Sequence, residues 1–142
     1  MATRRKINEK IYVSYRKNKI NNDCDFCHFK ITDDQVLREF KHFWLIKNIF
    51  SYDLWDSLDV LGHMLIVPKT HVESIGKLSP TALKEYGCIL AEYESKGYSF
   101  YARAMGNTSK SVPHQHTHLL KLGGKKKRFF LFLKKPYILW FK

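Results

Sequence analysis

The chain has 142 residues, 44% hydrophobic and 15% aromatic, with a formal net charge of +12. That length suits one ordinary domain with a real core, and there is no apolar run long enough to cross a membrane as a helix. The charge sits at the ends: residues 1–19 carry seven Lys or Arg against one acid, residues 125–142 carry seven against none, and the middle is nearly neutral.

In chain order, residues 1–22 read as a basic extension with a short helix or strand around Ile11-Tyr12-Val13. No apolar stretch follows the first basic residues, so no secretory signal is read. Asn21 to Asp23 reads as a turn, and Cys24-x-x-Cys27 follows. Val36 to Phe40 and Phe43 to Ile46 predict a hairpin, because Phe, Trp and Ile favour strands. Asn48 to Leu61 reads as irregular and acidic, and Gly62 to Pro68 as a short apolar strand ended by proline.

Ser79-Pro80 has the form of an N-cap followed by a first-turn proline. Leu83, Tyr86, Ile89, Leu90 and Tyr93 then recur at helical spacing up to Gly97, and Cys88 is expected to be a small buried side chain of that helix. Tyr98 to Met105 predicts a strand and Gly106 to Lys110 a polar loop. Ser111 to Leu122 predicts a second strand, stopped by Gly123-Gly124.

That last strand carries His114, His116 and His118 at two-residue spacing, three of the chain's seven histidines. Alternate strand residues share a face, so the three imidazoles would line one surface. Histidine is not a strand filler, and buried ring nitrogens need partners, so such a row marks metal ligation or a nucleophilic histidine. Metal sites of other folds also use His-x-His strands.

Three cysteines, Cys24, Cys27 and Cys88, cannot all pair within one chain. A Cys-x-x-Cys pair among them favours metal binding in a reducing, cytoplasmic setting over a disulfide framework.

Three blocks in register resemble the histidine triad (HIT) superfamily of nucleotide hydrolases and transferases: His114-Gln115-His116-Thr117-His118-Leu119-Leu120, Gly62-His63-Met64-Leu65-Ile66-Val67-Pro68-Lys69-Thr70-His71, and Cys24-Asp25-Phe26-Cys27. The resemblance implies an α+β fold with an antiparallel sheet of about five strands and one main helix. It divides the chain into a basic extension (1–22), the HIT domain (23–124) and a basic, aromatic tail (125–142). It implies cleavage at the α-phosphorus of a nucleotide through a covalent nucleotidyl-histidine. His116 is then the nucleophile, His118 contacts the phosphate or assists the leaving group, and Ser111 supplies a donor with Lys110 and Val112 in the turn before the strand. Relatives carry Gly-Gln where this chain has Ser109-Lys110. Asn48 takes the place that holds ribose hydroxyls, and His63 lies near the nucleotide.

In zinc-bearing members the ligands fall on Cys24, Cys27, His71 and His114; His28 is a competing ligand by adjacency. The resemblance also implies a homodimer. The substrates it implies are nucleoside phosphoramidates or dinucleoside polyphosphates. Two alternatives stand beside this: removal of adenylate from nucleic-acid ends, as in the aprataxin branch, and non-catalytic nucleotide binding. The basic ends suit a polyanion, whether nucleic acid, a phosphorylated substrate or an anionic membrane surface, and equally suit solvated tails. The tail residues Phe129 to Phe141 interleave aromatic and basic side chains, and most of the apolar ones are expected to be covered.

Overall fold

The computed structural model describes Arg4 and residues 6–17, 24–126, 130–134 and 137–141. Helix α1 (Lys6–Lys17) is followed by strands β1 (Val36–Glu39), β2 (Phe43–Lys47), β3 (Leu54–Trp55) and β4 (Leu58–Pro68). Helix α2 (Pro80–Ser95) leads into β5 (Tyr98–Ala102) and β6 (Thr117–Gly123), and a separate hairpin joins β7 (Phe130–Lys134) to β8 (Tyr137–Phe141). The main sheet runs β1-β2-β4-β6-β5, all antiparallel, with β3 paired to β4. This is the expected α+β architecture, enlarged by one short strand and one N-terminal helix.

Helix α2 forms where its sequence signals it. The Ser79 side chain accepts from the Ala82 N–H, Pro80 opens the first turn, and Gly97 turns the chain with φ +80°. Its Ala82, Ile89 and Tyr93 bury against Phe43, Leu45, Ile66 and Leu119 of three adjacent strands. Tyr86 reaches Thr117, with the two hydroxyls 2.8 Å apart. The opposite face of the sheet carries Ile46, Leu65 and Val67, covered by Phe26, Phe29, Val36 and Trp44. Cys88 lies on the solvent side of α2, contrary to the expected burial, because the core stripe passes through its neighbour Ile89.

Asn48 to Leu61 is not irregular throughout. Asp56 and Ser57 adopt φ of 50° and 67°, making a two-residue turn that reverses β3 into β4. A primed turn of that kind matches the twist of antiparallel strands, and it was hidden because the turn contains no glycine. The basic extension forms a full helix over Lys6–Lys17, longer than the local apolar signal suggested. Strand β5 stops at Ala102, short of Met105. The tail pairs Phe130 with Phe141 and Lys134 with Tyr137. The expected cover over its side chains lies outside the described residues, as does the turn at 21–23.

Candidate active site and metal centre

Strand parity decides which side chains meet. In the β4–β6 ladder Leu65 faces His118 and His63 faces Leu120. Alternation therefore puts His63, Leu65, Val67 and His118 on the face away from α2, while Met64, Ile66, Thr117 and Leu119 face the helix. Only His118 of the three triad histidines lies within β6, which begins at Thr117 rather than Ser111. The ladder stops there because Pro68 ends β4 without an N–H. The chain ahead of β6 pairs instead with the following loop, the Gln115 N–H donating to the Val72 carbonyl at 2.6 Å.

His116 is 6% exposed. Its Nδ1 lies 2.9 Å from the His114 carbonyl, which can only accept, so Nδ1 carries the proton and Nε2 of the neutral ring is left with a lone pair. Burial first, then the charges of Lys110 and Arg103, hold its pKa below the usual histidine range, against a raising effect of the His114 carbonyl. Phe26 packs edge-on at 5.2 Å between ring centroids, and the His118 ring is also 5.2 Å away.

His63 orders His118. The Tyr52 backbone N–H approaches His63 Nδ1 at 3.2 Å, and the Asn48 amide nitrogen sits 3.4 Å from Nδ1 and 2.9 Å from Nε2. A backbone N–H cannot turn away, so Nδ1 is the acceptor. Nε2 then holds the proton and donates to His118 Nδ1 at 2.8 Å, which places the His118 proton on its own Nε2; the Asn48 NH2, itself a donor, touches Nε2 without bonding to it. Asn48 Oδ1 accepts from the Phe50 N–H at 3.0 Å, fixing the amide. Burial pushes His63 down to about 3, helped by Arg4, and His118 down to about 2, helped by His116, His63, Arg103 and Arg4. Both rings are neutral through the physiological range.

The four sequence-read ligands converge. Cys24 Sγ, Cys27 Sγ and one nitrogen each of His71 and His114 lie within 4.8 Å of one another, and His28 is not in the group. His114 Nδ1 is 3.4 Å from Cys24 Sγ and 3.5 Å from Cys27 Sγ, and His71 Nδ1 is 3.2 Å from Cys27 Sγ. Tetrahedral zinc with ordinary bond lengths separates a sulfur from a nitrogen ligand by about 3.6 Å, so the cluster has the span of a metal cage. His114 Nε2 donates to the Pro68 carbonyl at 3.0 Å, which frees Nδ1 as a ligand atom and fixes the ring. A metal there would tie the segment of Cys24 and Cys27 to the residue whose carbonyl orients His116.

Of the turn residues, Lys110 is half-buried, and its ammonium donates to the Glu73 carbonyl and to Gln115 Oε1, both at 2.9 Å. Ser111 is exposed and Val112 half-buried, a few residues ahead of His116.

No protein-family model matches the chain, and no curated protein does. Solved structures do. A HIT family hydrolase from Clostridium thermocellum matches with TM-score 0.51 and 22% identity, over 71% of this chain and 91% of that one. The chain has the histidine-triad fold. A HIT family hydrolase from Legionella pneumophila (TM-score 0.49, 24% identity, 72% and 94% coverage) and a histidine triad protein from Clostridium difficile (0.49, 20%, 74% and 94%) are also similar.

Within this histidine-triad fold, several residues around the rings had no clear sequence signal. Tyr52 stacks on His63 at 5.0 Å and lies 5.8 Å from His118. Arg4 lies over the outer face of that arrangement, 4.7 Å from the Tyr52 ring and 4.3 Å from Tyr12. Tyr52, Arg4, Phe26 and Arg103 arrive through tertiary packing. Among the described residues no helix is long and apolar enough to cross a membrane.

Proposed function

We propose that the protein is a nucleotide hydrolase or nucleotidyl transferase acting at the α-phosphorus of a nucleoside phosphoramidate or dinucleoside polyphosphate. The observation that carries the reading is the His116 tautomer: Nδ1 is tied to the His114 carbonyl, so Nε2 is the nucleophilic atom. In the proposed reaction His116 Nε2 attacks the α-phosphorus. The bond to the leaving group breaks, its electron pair goes to the leaving atom, and the His118 Nε2–H hydrogen-bonds that atom; a phosphate chain departs as the anion, and an amine takes its proton from solvent. Water, or another acceptor such as phosphate, then attacks the nucleotidyl-histidine. The electron pair of the phosphorus–nitrogen bond returns to Nε2, and the acceptor's proton passes to solvent. Asn48 holds the ribose hydroxyls, with His63 positioning His118. Ser111 and the backbone of Lys110 and Val112 meet the phosphate.

Cys24, Cys27, His71 and His114 would hold a structural zinc ion, since two thiolates and two imidazoles at tetrahedral span form a closed site. Zinc would supply rigidity and no bond chemistry. The same reading takes a cytoplasmic homodimer as the working form and 23–124 as the catalytic domain, flanked by a basic extension and a tail. The test is incubation with a fluorogenic adenosine phosphoramidate and with diadenosine tetraphosphate, each beside His116→Ala. Release of AMP that depends on His116 is the expected result; full activity of the variant refutes it. The basic ends favour a second reading, action on adenylylated nucleic-acid ends. Tight binding that collapses between low and physiological salt would support it.

A further inference from the structure

Among the described residues, three cations act on His116 and His118, and two are already engaged. Arg4 donates to the Phe50 carbonyl at 2.9 Å, pairs with Glu9 at 3.3 Å and is sandwiched between Tyr12 and Tyr52. Lys110 is held by Glu73 and Gln115. Arg103 is different. The β5–β6 register pairs Tyr101 with His118 and Ala102 with Thr117 and ends there, so Arg103 is the first residue beyond the ladder, and its charge is felt at His116. Its guanidinium carbon lies 5.5 Å from the Tyr101 ring centroid, and that ring is 6.2 Å from His118. Its charge is felt at His118.

Among the described residues Arg103 forms no ion pair and no side-chain hydrogen bond. It is nevertheless half-buried. A guanidinium drawn from water with no carboxylate beside it carries a desolvation cost that an anion would offset. Its planar fork suits phosphate oxygens in a way a lysine does not.

We propose that Arg103 binds the first phosphate of an anionic leaving group and makes the site select nucleoside polyphosphates over substrates that release a neutral amine. This rests on the α-phosphorus reading above. Arg103 approaches from β5, on the side of His118, whose Nε2–H meets the leaving atom. The turn at 110–112 approaches from the other end of the segment and is assigned to the α-phosphate. A second cation at the leaving-group side adds nothing for an amine and stabilises the oxygen charge that develops when a phosphate chain departs.

The test compares kcat/KM of the wild type, Arg103→Gln and Arg103→Lys on diadenosine tetraphosphate and on adenosine 5′-phosphoramidate. The expected result for Arg103→Gln is a loss of about 30-fold on the tetraphosphate, the weight of one charge-assisted contact, with the phosphoramidate changed by less than about threefold. Arg103→Lys should recover part of the loss, and inorganic tripolyphosphate should inhibit the wild type more strongly than Arg103→Gln. Equal losses on both substrates, or none on either, overturn the assignment. Wild-type turnover of the phosphoramidate alone overturns it too and leaves the α-phosphorus reading standing. Turnover of neither substrate removes that reading and the Arg103 assignment with it.

Discussion

His63 offers a direct test of the neutral histidine pair. It is 6% exposed, and burial pushes its pKa down to about 3 from an ordinary 6.5. The unfolded chain therefore takes up this proton as pH falls through 6.5, while the folded protein refuses it until about 3. Stability is full above 6.5 and falls across that window. Proton linkage gives about 1.4 kcal/mol per pH unit inside it, so His63 should cost about 2 kcal/mol between pH 7.5 and 5.0. The assay is urea unfolding of wild type and His63→Gln at both pH values. The variant cannot titrate at this position, so its loss on acidification should be smaller by about 2 kcal/mol. Groups away from His63 are common to both proteins and cancel in the difference. Identical pH dependence in the two, within about 0.5 kcal/mol, would refute the claim that His63 is buried as a neutral base.

Further outcomes follow from the same geometry. Cys27→Ser should lower zinc content, measured by atomic emission on the purified protein, from near one ion per chain to a small fraction, and should destabilise the fold by several kcal/mol; equal zinc in both proteins removes the proposed site. Asn48→Ala should raise KM for a nucleotide substrate by about tenfold with a smaller change in kcat, and an unchanged KM would discard its ribose role. Leu119 is fully buried between sheet and α2, so Leu119→Ala should cost about 3 kcal/mol in urea unfolding while activity per folded molecule persists.

Much of the fold was legible because it is written in local pattern. The Ser79-Pro80 cap, the 3.6-residue stripe through Ile89 and Tyr93, and the apolar run ending at Pro68 each specify their element with no help from distant residues. The four cage residues were legible as well, but only through the resemblance; spacing alone supplied two ligands at Cys24 and Cys27. The sequence could not show that the ladder would stop at Thr117, because that depends on Pro68 ending the neighbouring strand and on Val72 taking the Gln115 N–H.

The sequence by itself determined which imidazoles were available and, through two-residue periodicity, that alternate residues of the histidine strand would share a face. Tertiary structure decided their states. A carbonyl fixed the proton of His116, a backbone N–H fixed that of His63, and burial under Tyr52 kept the His63–His118 pair neutral. It also decided that Arg103, ordinary in the sequence, lies beside the triad without a carboxylate. Periodicity is a property of alternating residues along a strand; protonation depends on which donor or acceptor the folded backbone turns toward each ring, whether from two positions away, as at His116, or from 11 to 55 positions away, as around His63.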